Sequence, residues 1–256
     1  MMSDELVLTE YNGSIATLTL NNPAKRNTLS VAMMSAVIDA FESVARSEAL
    51  GVILAANGPV FSAGHNFGDM LNATADETTA IFALCTRMMD TIQAIPQPVI
   101  AKVASLATAA GCQLVATCDL AIASDAASFA IPGGKGGLFC HTPLVAVARN
   151  VGRKRALELA LTGDPIDAAT AADWGLINRA VPPEELDAAV DDLIRRATRG
   201  ASASKALGKA AFYTQVGLDQ RSAYAFTVEV MGTAAAGPDA QEGISAFLDK
   251  RKPTFH

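Results

Sequence analysis

A chain of 256 residues, half of them hydrophobic and 18% charged, is large enough for one sizeable core and too apolar to stay disordered. Its formal net charge of −6 excludes a general nucleic-acid binder, which needs a dominant basic face to neutralise phosphates. The longest uncharged stretch, Val103 to Cys118, is too short and too rich in Thr, Ser, Gly and Gln to span a bilayer, so no membrane partner is expected.

The N-terminal residues MMSDELVLTE have neither the basic region nor the apolar segment of an export signal. A reducing cytoplasmic location is therefore expected, with Cys85, Cys112, Cys118 and Cys140 as buried free thiols. No pair of them has CxxC spacing and only three histidines are present, so no metal site is expected. Ile15 to Leu20 alternates apolar residues with threonine and reads as a half-exposed strand, followed by turn chemistry in NNPAKRN. Ser30 then caps a helix whose face is marked by Met34, Val37, Ile38, Phe41, Val44 and Ala45. Gly51 to Ala56 is a short buried strand, broken at Asn57, Gly58 and Pro59. A small-residue turn, FSAGHN, occupies Phe61 to Asn66. Ile81 to Ile95 is helical until Pro96 and Pro98 stop it, and Val99 to Val103 is the next strand. ATAAGCQL, Ala107 to Leu114, opens a helix, and Asp119 to Ala123 follows as a strand. Such alternation predicts an α/β fold with a largely parallel sheet. From Thr142 onward the pattern changes. Leu186, Val190, Leu193, Ile194 and Ala197 mark one face of a helix with acid at its start and base at its end. Beyond Gly200 only helices are predicted, over Ser202 to Tyr213, Gln220 to Ala234 and Asp239 to Phe247. Their apolar faces must pack on the core or on another subunit.

No GxSxG, Walker A or HExxH pattern is present, which sets aside nucleophile-elbow hydrolases, P-loop enzymes and zincins. PGGKGG, Pro132 to Gly137, reads as a flexible loop ahead of a phosphate cradle, and the Cys140 and His141 pair as a core thiol beside a polar loop histidine. The two small-residue turns carry more. FSAG follows a buried strand and leaves the Ala63 amide free, and AAGCQL is a helix start where unpaired N–H groups and the helix dipole favour an oxyanion. Together they describe a two-amide oxyanion hole.

These segments resemble the enoyl-CoA hydratase/isomerase family, the crotonase superfamily. NNPAKRNTL, GPVFSAGHNF, PVIAKVASLATAAGCQLVATCDLAIAS, SFAIPGG, LTGDPIDAATAADWGLINRAVP and EGISAFLDKRKPTF match it in order and spacing over nearly the whole chain. GCQL and GLFC are similar to its enoyl-CoA hydratase domain-containing branch. The resemblance implies a repeated ββα core over residues 1–200 and a helical trimerisation region over 201–256, assembled as a homotrimer or a dimer of trimers. It implies a coenzyme A thioester as substrate or ligand and no separate cofactor. By position, Ala63 and Ala110 would hold the thioester oxygen. Lys25, Arg26, Ala63, Gly64, His65 and Asn66 would line the coenzyme A path, and Phe247 and Lys250 resemble the tail that reaches a neighbouring subunit's ligand. The two family glutamates fall on Gln113 and Gly133, neither of which exchanges a proton near neutral pH. Three functions stay open. One is a hydratase-like lyase whose proton is moved by His65, Asp69, Lys135 or His141, one an isomerase with a different acid or base, and one a non-catalytic acyl-CoA binder.

Overall fold

A computed structural model describes residues 5–255; Met1 to Asp4, part of the segment behind the cytoplasmic expectation, lie outside them. The chain opens with a hairpin, β1 (Val7–Asn12) antiparallel to β2 (Ile15–Leu20). In β2 the side chains of Ala16, Leu18 and Leu20 are buried and the intervening threonines are only half buried, as the alternation predicts. Helix α1 (Val31–Ala45) follows, with the Ser30 hydroxyl accepting from the Met33 N–H.

Three successive units then repeat one plan. In each, a strand enters a large sheet, the chain bends, a three-residue strand enters a second, smaller sheet, and a helix returns. They are β3 (Gly51–Ala56), β4 (Val60–Ser62), α2 (Ala75–Ala94); β5 (Val99–Val103), β6 (Leu106–Thr108), α3 (Ala110–Thr117); and β7 (Leu120–Ser124), β8 (Ser128–Ala130), α4 (His141–Val151). Helix α5 (Arg153–Thr162), β9 (Ile166–Asp167), α6 (Ala168–Trp174) and β10 (Arg179–Val181) complete the two sheets. The large sheet has the order β1-β2-β3-β5-β7-β10, parallel from β2 onward, and the small one β4-β6-β8-β9, with only β9 antiparallel.

Helix α7 (Leu186–Thr198) covers the outer face of the large sheet, packing Leu186, Val190 and Ile194 on Ile53, Ile100 and Ile122. This explains why β3 is apolar throughout instead of alternating, since both of its faces are covered. The approach is tight enough that a Cβ at Gly51 would stand 2.7 Å from Ile194 Cδ1. Helices α8 (Ser202–Gln215), α9 (Gln220–Ala235) and α10 (Pro238–Leu248) form the tail. Neither α8 nor α9 has a fully buried residue, and Phe212, Tyr224, Val228, Met231, Phe247 and Leu248 are exposed. All four cysteines are buried free thiols, and burial pushes Cys85 and Cys112 up to about 12. Among the described residues no helix is long and apolar enough to cross a membrane, and no His, Cys, Asp and Glu cluster could hold a metal ion.

Helix α2 starts six residues before the expected Ile81. Thr74 and Glu77 form a reciprocal capping box, the Thr74 N–H donating to Glu77 Oε2 at 2.8 Å and the Glu77 N–H to Thr74 Oγ1 at 3.3 Å. The polar first turn hid it from the apolar periodicity.

Candidate active site

The site grows out of the NNPAKRN turn. Asn27 is fully buried in a left-handed conformation (φ 49°); its side-chain N–H groups donate to the carbonyls of Asn57 and Val60, each at 2.9 Å, while its Oδ1 accepts from the Asn22 N–H at 2.8 Å. One side chain thus ties this turn to the entry of β4. Lys25 and Arg26 are exposed on the turn, and the Arg26 carbonyl accepts from the Ala63 N–H at 3.0 Å. The expectation that the Ala63 amide is free is corrected by that bond.

The free amide lies two residues on. Leu29 and His65 form a parallel bridge in which the Leu29 N–H donates to Gly64 O at 2.8 Å and the Asn66 N–H to Leu29 O at 3.4 Å. In a parallel pairing these bonds use the neighbours of His65 and turn its own N–H to the opposite side, toward the end of β6. There β6 has already given way to α3, so no strand continues to receive it. Among the described residues neither the His65 N–H nor the Ala110 N–H has a protein acceptor.

Two glycines bring these amides together. Gly64 (φ 82°) sits where a Cβ would be 2.9 Å from Ala109 Cβ and 3.1 Å from both Ala110 N and Thr108 O; at Gly111 a Cβ would stand 2.3 Å from Ser62 O. Ala109 takes the remaining strain, with φ 52° and ψ −120°, the glycine-type first position of a type II′ turn. Such a conformation costs an L-residue about 1–3 kcal/mol. Ala109→Gly is therefore expected to raise stability by about 1 kcal/mol after the added chain entropy of glycine, and Ala109→Val to lower it by more. Urea unfolding midpoints decide the matter, and equal midpoints for all three proteins would remove the strain argument.

Beneath the amides lies a cavity of about 570 Å³, lined by Ala63, His65, Phe67, Met70, Phe82, Thr108 to Ala110, Pro132, Gly133, Lys135, Gly136 and Leu138 to Pro143. PGGKGG forms part of this wall as a 3-10 turn, and Lys135 is ion-paired with Asp164 at 2.5 Å. Gly133 is hemmed in: a Cβ there would be 2.2 Å from Leu138 O and 2.5 Å from Cys140 Sγ. Burial raises the pKa of the Cys140 thiol. His141 is exposed at the head of α4, its ring against Phe139 with centroids 5.1 Å apart.

Other expected site residues stand elsewhere. Gln113 is buried in α3, off the cavity wall, with Oε1 unpartnered. Asp69 is committed to structure, since Oδ2 accepts from the Val31 N–H at 2.9 Å at the head of α1 and Oδ1 from Asn66 Nδ2 at 2.7 Å. Both of its oxygens are thereby engaged in structural hydrogen bonds, one of them at the head of α1. Phe247 and Lys250 are exposed at the end of α10 and do not line the cavity of their own chain. Burial lowers the pKa of His65, opposed by the nearby Leu29 carbonyl and the Asp69 charge, and neither ring nitrogen completes a hydrogen bond.

Residues 10–256 match the enoyl-CoA hydratase/isomerase family. The chain is 45% identical over 252 residues, 98% of its own length and 84% of the relative's, to the mouse protein named enoyl-CoA hydratase domain-containing protein 3, mitochondrial. A crystal structure of an enoyl-CoA hydratase from Mycobacterium smegmatis is similar at a TM-score of 0.94 and 44% identity, covering 97% of this chain and 98% of that one. Human enoyl-CoA hydratase domain-containing protein 3 is similar at a TM-score of 0.93 and 44% identity, covering 97% and 99%. The mouse protein and its rat and human counterparts carry a mitochondrial name, which overturns the cytoplasmic expectation. A targeting address is separate from the folded domain, so the domain's composition does not report it. The repeated ββα units, the small-residue turns that meet over the cavity and the match from residue 10 to the last residue make this chain a member of the enoyl-CoA hydratase/isomerase, or crotonase, family.

Proposed function

We propose that this chain binds acyl thioesters of coenzyme A and stabilises the enolate of the bound acyl group, the thioester oxygen being held by the His65 and Ala110 amides. The observation that carries this reading is the pair of acceptor-less N–H groups on adjacent elements above an apolar cavity. Amides aimed at a developing oxyanion in a water-poor site are worth about 10²–10³ in rate each, and the first turn of α3 adds its dipole. Lys25 and Arg26, fixed to the same loop through the Arg26 carbonyl, suit the phosphates at the mouth. Phe247 and Lys250 reach a site only from a neighbouring copy, and the exposed apolar residues of α8 to α10 support assembly as a trimer or a dimer of trimers.

Water addition is disfavoured. Gln113 and Gly133 stand where the family glutamates would, and a missing general acid or base removes about 10²–10⁴ in rate. A non-catalytic acyl-CoA binder is the second reading, favoured by one observation: among the residues lining the cavity there is no carboxylate.

The carbonyl stretch of bound butyryl-CoA separates the two. It is expected to shift to lower frequency on the wild-type protein. Gly64→Ala, which forces the His65 and Ala110 segments apart, is expected to lose most of that shift. Tight binding with an unshifted carbonyl would leave only the binder.

A further inference from the structure

His65 offers the site more than its amide. Its ring meets Phe82 edge to face, centroids 5.1 Å apart at 85°, and both residues line the cavity. Nδ1 and Nε2 are both buried and both lack a hydrogen-bond partner. Buried polar side chains are nearly always paired, so a ring on the cavity wall whose nitrogens have only the Leu29 carbonyl nearby, without a completed bond, calls for an explanation. The neighbouring titratable groups are otherwise committed. The Asp69 carboxylate is held by Val31 and Asn66, Lys135 by Asp164, and burial favours the neutral form of the Cys140 thiol. The exception is His141, which is exposed at the head of α4 with its ring against Phe139 and also lines the cavity.

Building on the enolate-stabilising reading, we infer that the His65 imidazole removes and returns a proton at the α carbon of the bound acyl thioester. A half-turn about the Cβ–Cγ bond exchanges Nδ1 with Cδ2 and Nε2 with Cε1 while preserving the outline of the ring. The nitrogens can therefore take the ring-carbon positions without disturbing Phe82, and it is there that the inference sets them toward the cavity. The unprotonated nitrogen takes the α hydrogen, the C–H pair becomes the new double bond to the carbonyl carbon, and the carbonyl π pair moves onto the oxygen held by the two amides. The imidazolium then returns its proton. Delivered to the α carbon, it completes a hydrogen exchange; delivered to the γ carbon of a 3-enoyl thioester, it leaves the 2-enoyl isomer. No water, oxidant or second base is consumed. The cation that burial opposes is formed only together with the enolate, and Asp69 favours it.

The test is loss of the α protons of butyryl-CoA in deuterated water, followed by NMR with the full chain. Wild-type protein is expected to exchange them. His65→Phe keeps the backbone amide and the ring volume. It should retain binding and the carbonyl shift while slowing exchange by about 100-fold. Exchange should also fall in the wild type as pH drops through one ionisation below 6.5, because the ring must be uncharged to accept the proton. Undiminished exchange in a folded, ligand-binding His65→Phe protein overturns the inference and leaves the enolate reading standing. Exchange that rises on acidification overturns it without any variant. A shifted carbonyl with no wild-type exchange overturns it too, whereas an unshifted carbonyl removes the enolate reading and this inference together.

Discussion

Placing glutamate at both Gln113 and Gly133 is expected to give a less stable protein with no gain in hydration of a 2-enoyl thioester. At position 133 the first side-chain carbon would fall 2.2 Å from the Leu138 carbonyl oxygen and 2.5 Å from Cys140 Sγ. The Leu138 segment cannot simply give way, because the Leu138 N–H donates to the Gly133 carbonyl at 3.0 Å and closes the turn. Overpacking of this kind costs about 1–3 kcal/mol, and here one of the clashing atoms is backbone. At position 113 the side chain is buried away from the cavity wall and its Oε1 is already unpartnered. A carboxyl there would lose its hydration and stay protonated. Urea unfolding together with the loss of enoyl absorbance measures both halves of this expectation. A double variant that gains hydration of a 2-enoyl thioester, with an unchanged unfolding midpoint, would overturn both halves.

Lys209→Met is expected to destabilise the protein by about 3–5 kcal/mol, the cost of leaving a buried charge without its partner. Lys209 and Asp119 are only 10% and 15% exposed, and Nζ stands 2.7 Å from Asp119 Oδ2. Nζ also donates to the carbonyls of Ile92 at 3.0 Å and Gln97 at 2.9 Å, and Asp119 accepts from the Val99 N–H and the Tyr213 hydroxyl, each at 2.7 Å. Burial lowers the pKa of Lys209 and raises that of Tyr213, so the low dielectric acts on the whole cluster. Because the penalty lies in the orphaned carboxylate, adding Asp119→Asn to Lys209→Met should recover part of it, and a double-mutant cycle gives the coupling directly. A single-variant cost under about 1 kcal/mol would put the pair in the class of surface ion pairs.

The sequence made the large sheet and its helices legible because their signals are long and physical. Ser30 caps α1 as expected, and the proline breaks and apolar runs mark β3 and β5. The small sheet was not legible, since its strands have two or three residues, too few for a period of two to register. At the site, the small-residue turns hold the two amides without an acceptor among the described residues, Ala110 and His65, whereas the Ala63 amide read as free is bonded to the Arg26 carbonyl. Which amide faces the cavity depends on the register between Leu29 and His65, a pairing across the chain that no local motif encodes. Likewise the commitment of Asp69 to Val31 bridges 38 positions of sequence, so a carboxylate beside the FSAGHN turn looked free when it was not.

The Asp119 cluster also constrains the order of folding. Its acceptors and donors come from the end of α2, the starts of β5 and β7, and α8, which lies more than 90 positions further on. Until those two strands are side by side, Lys209 and Tyr213 have nothing to dock against, and closing so long a loop earlier would lose chain entropy without return. The Lys209 and Tyr213 contacts of α8 therefore require both strands to be in place. A chain whose sheet is incomplete cannot make these contacts, so an α8 held by Lys209 and Tyr213 reports that the strands beneath it have already paired.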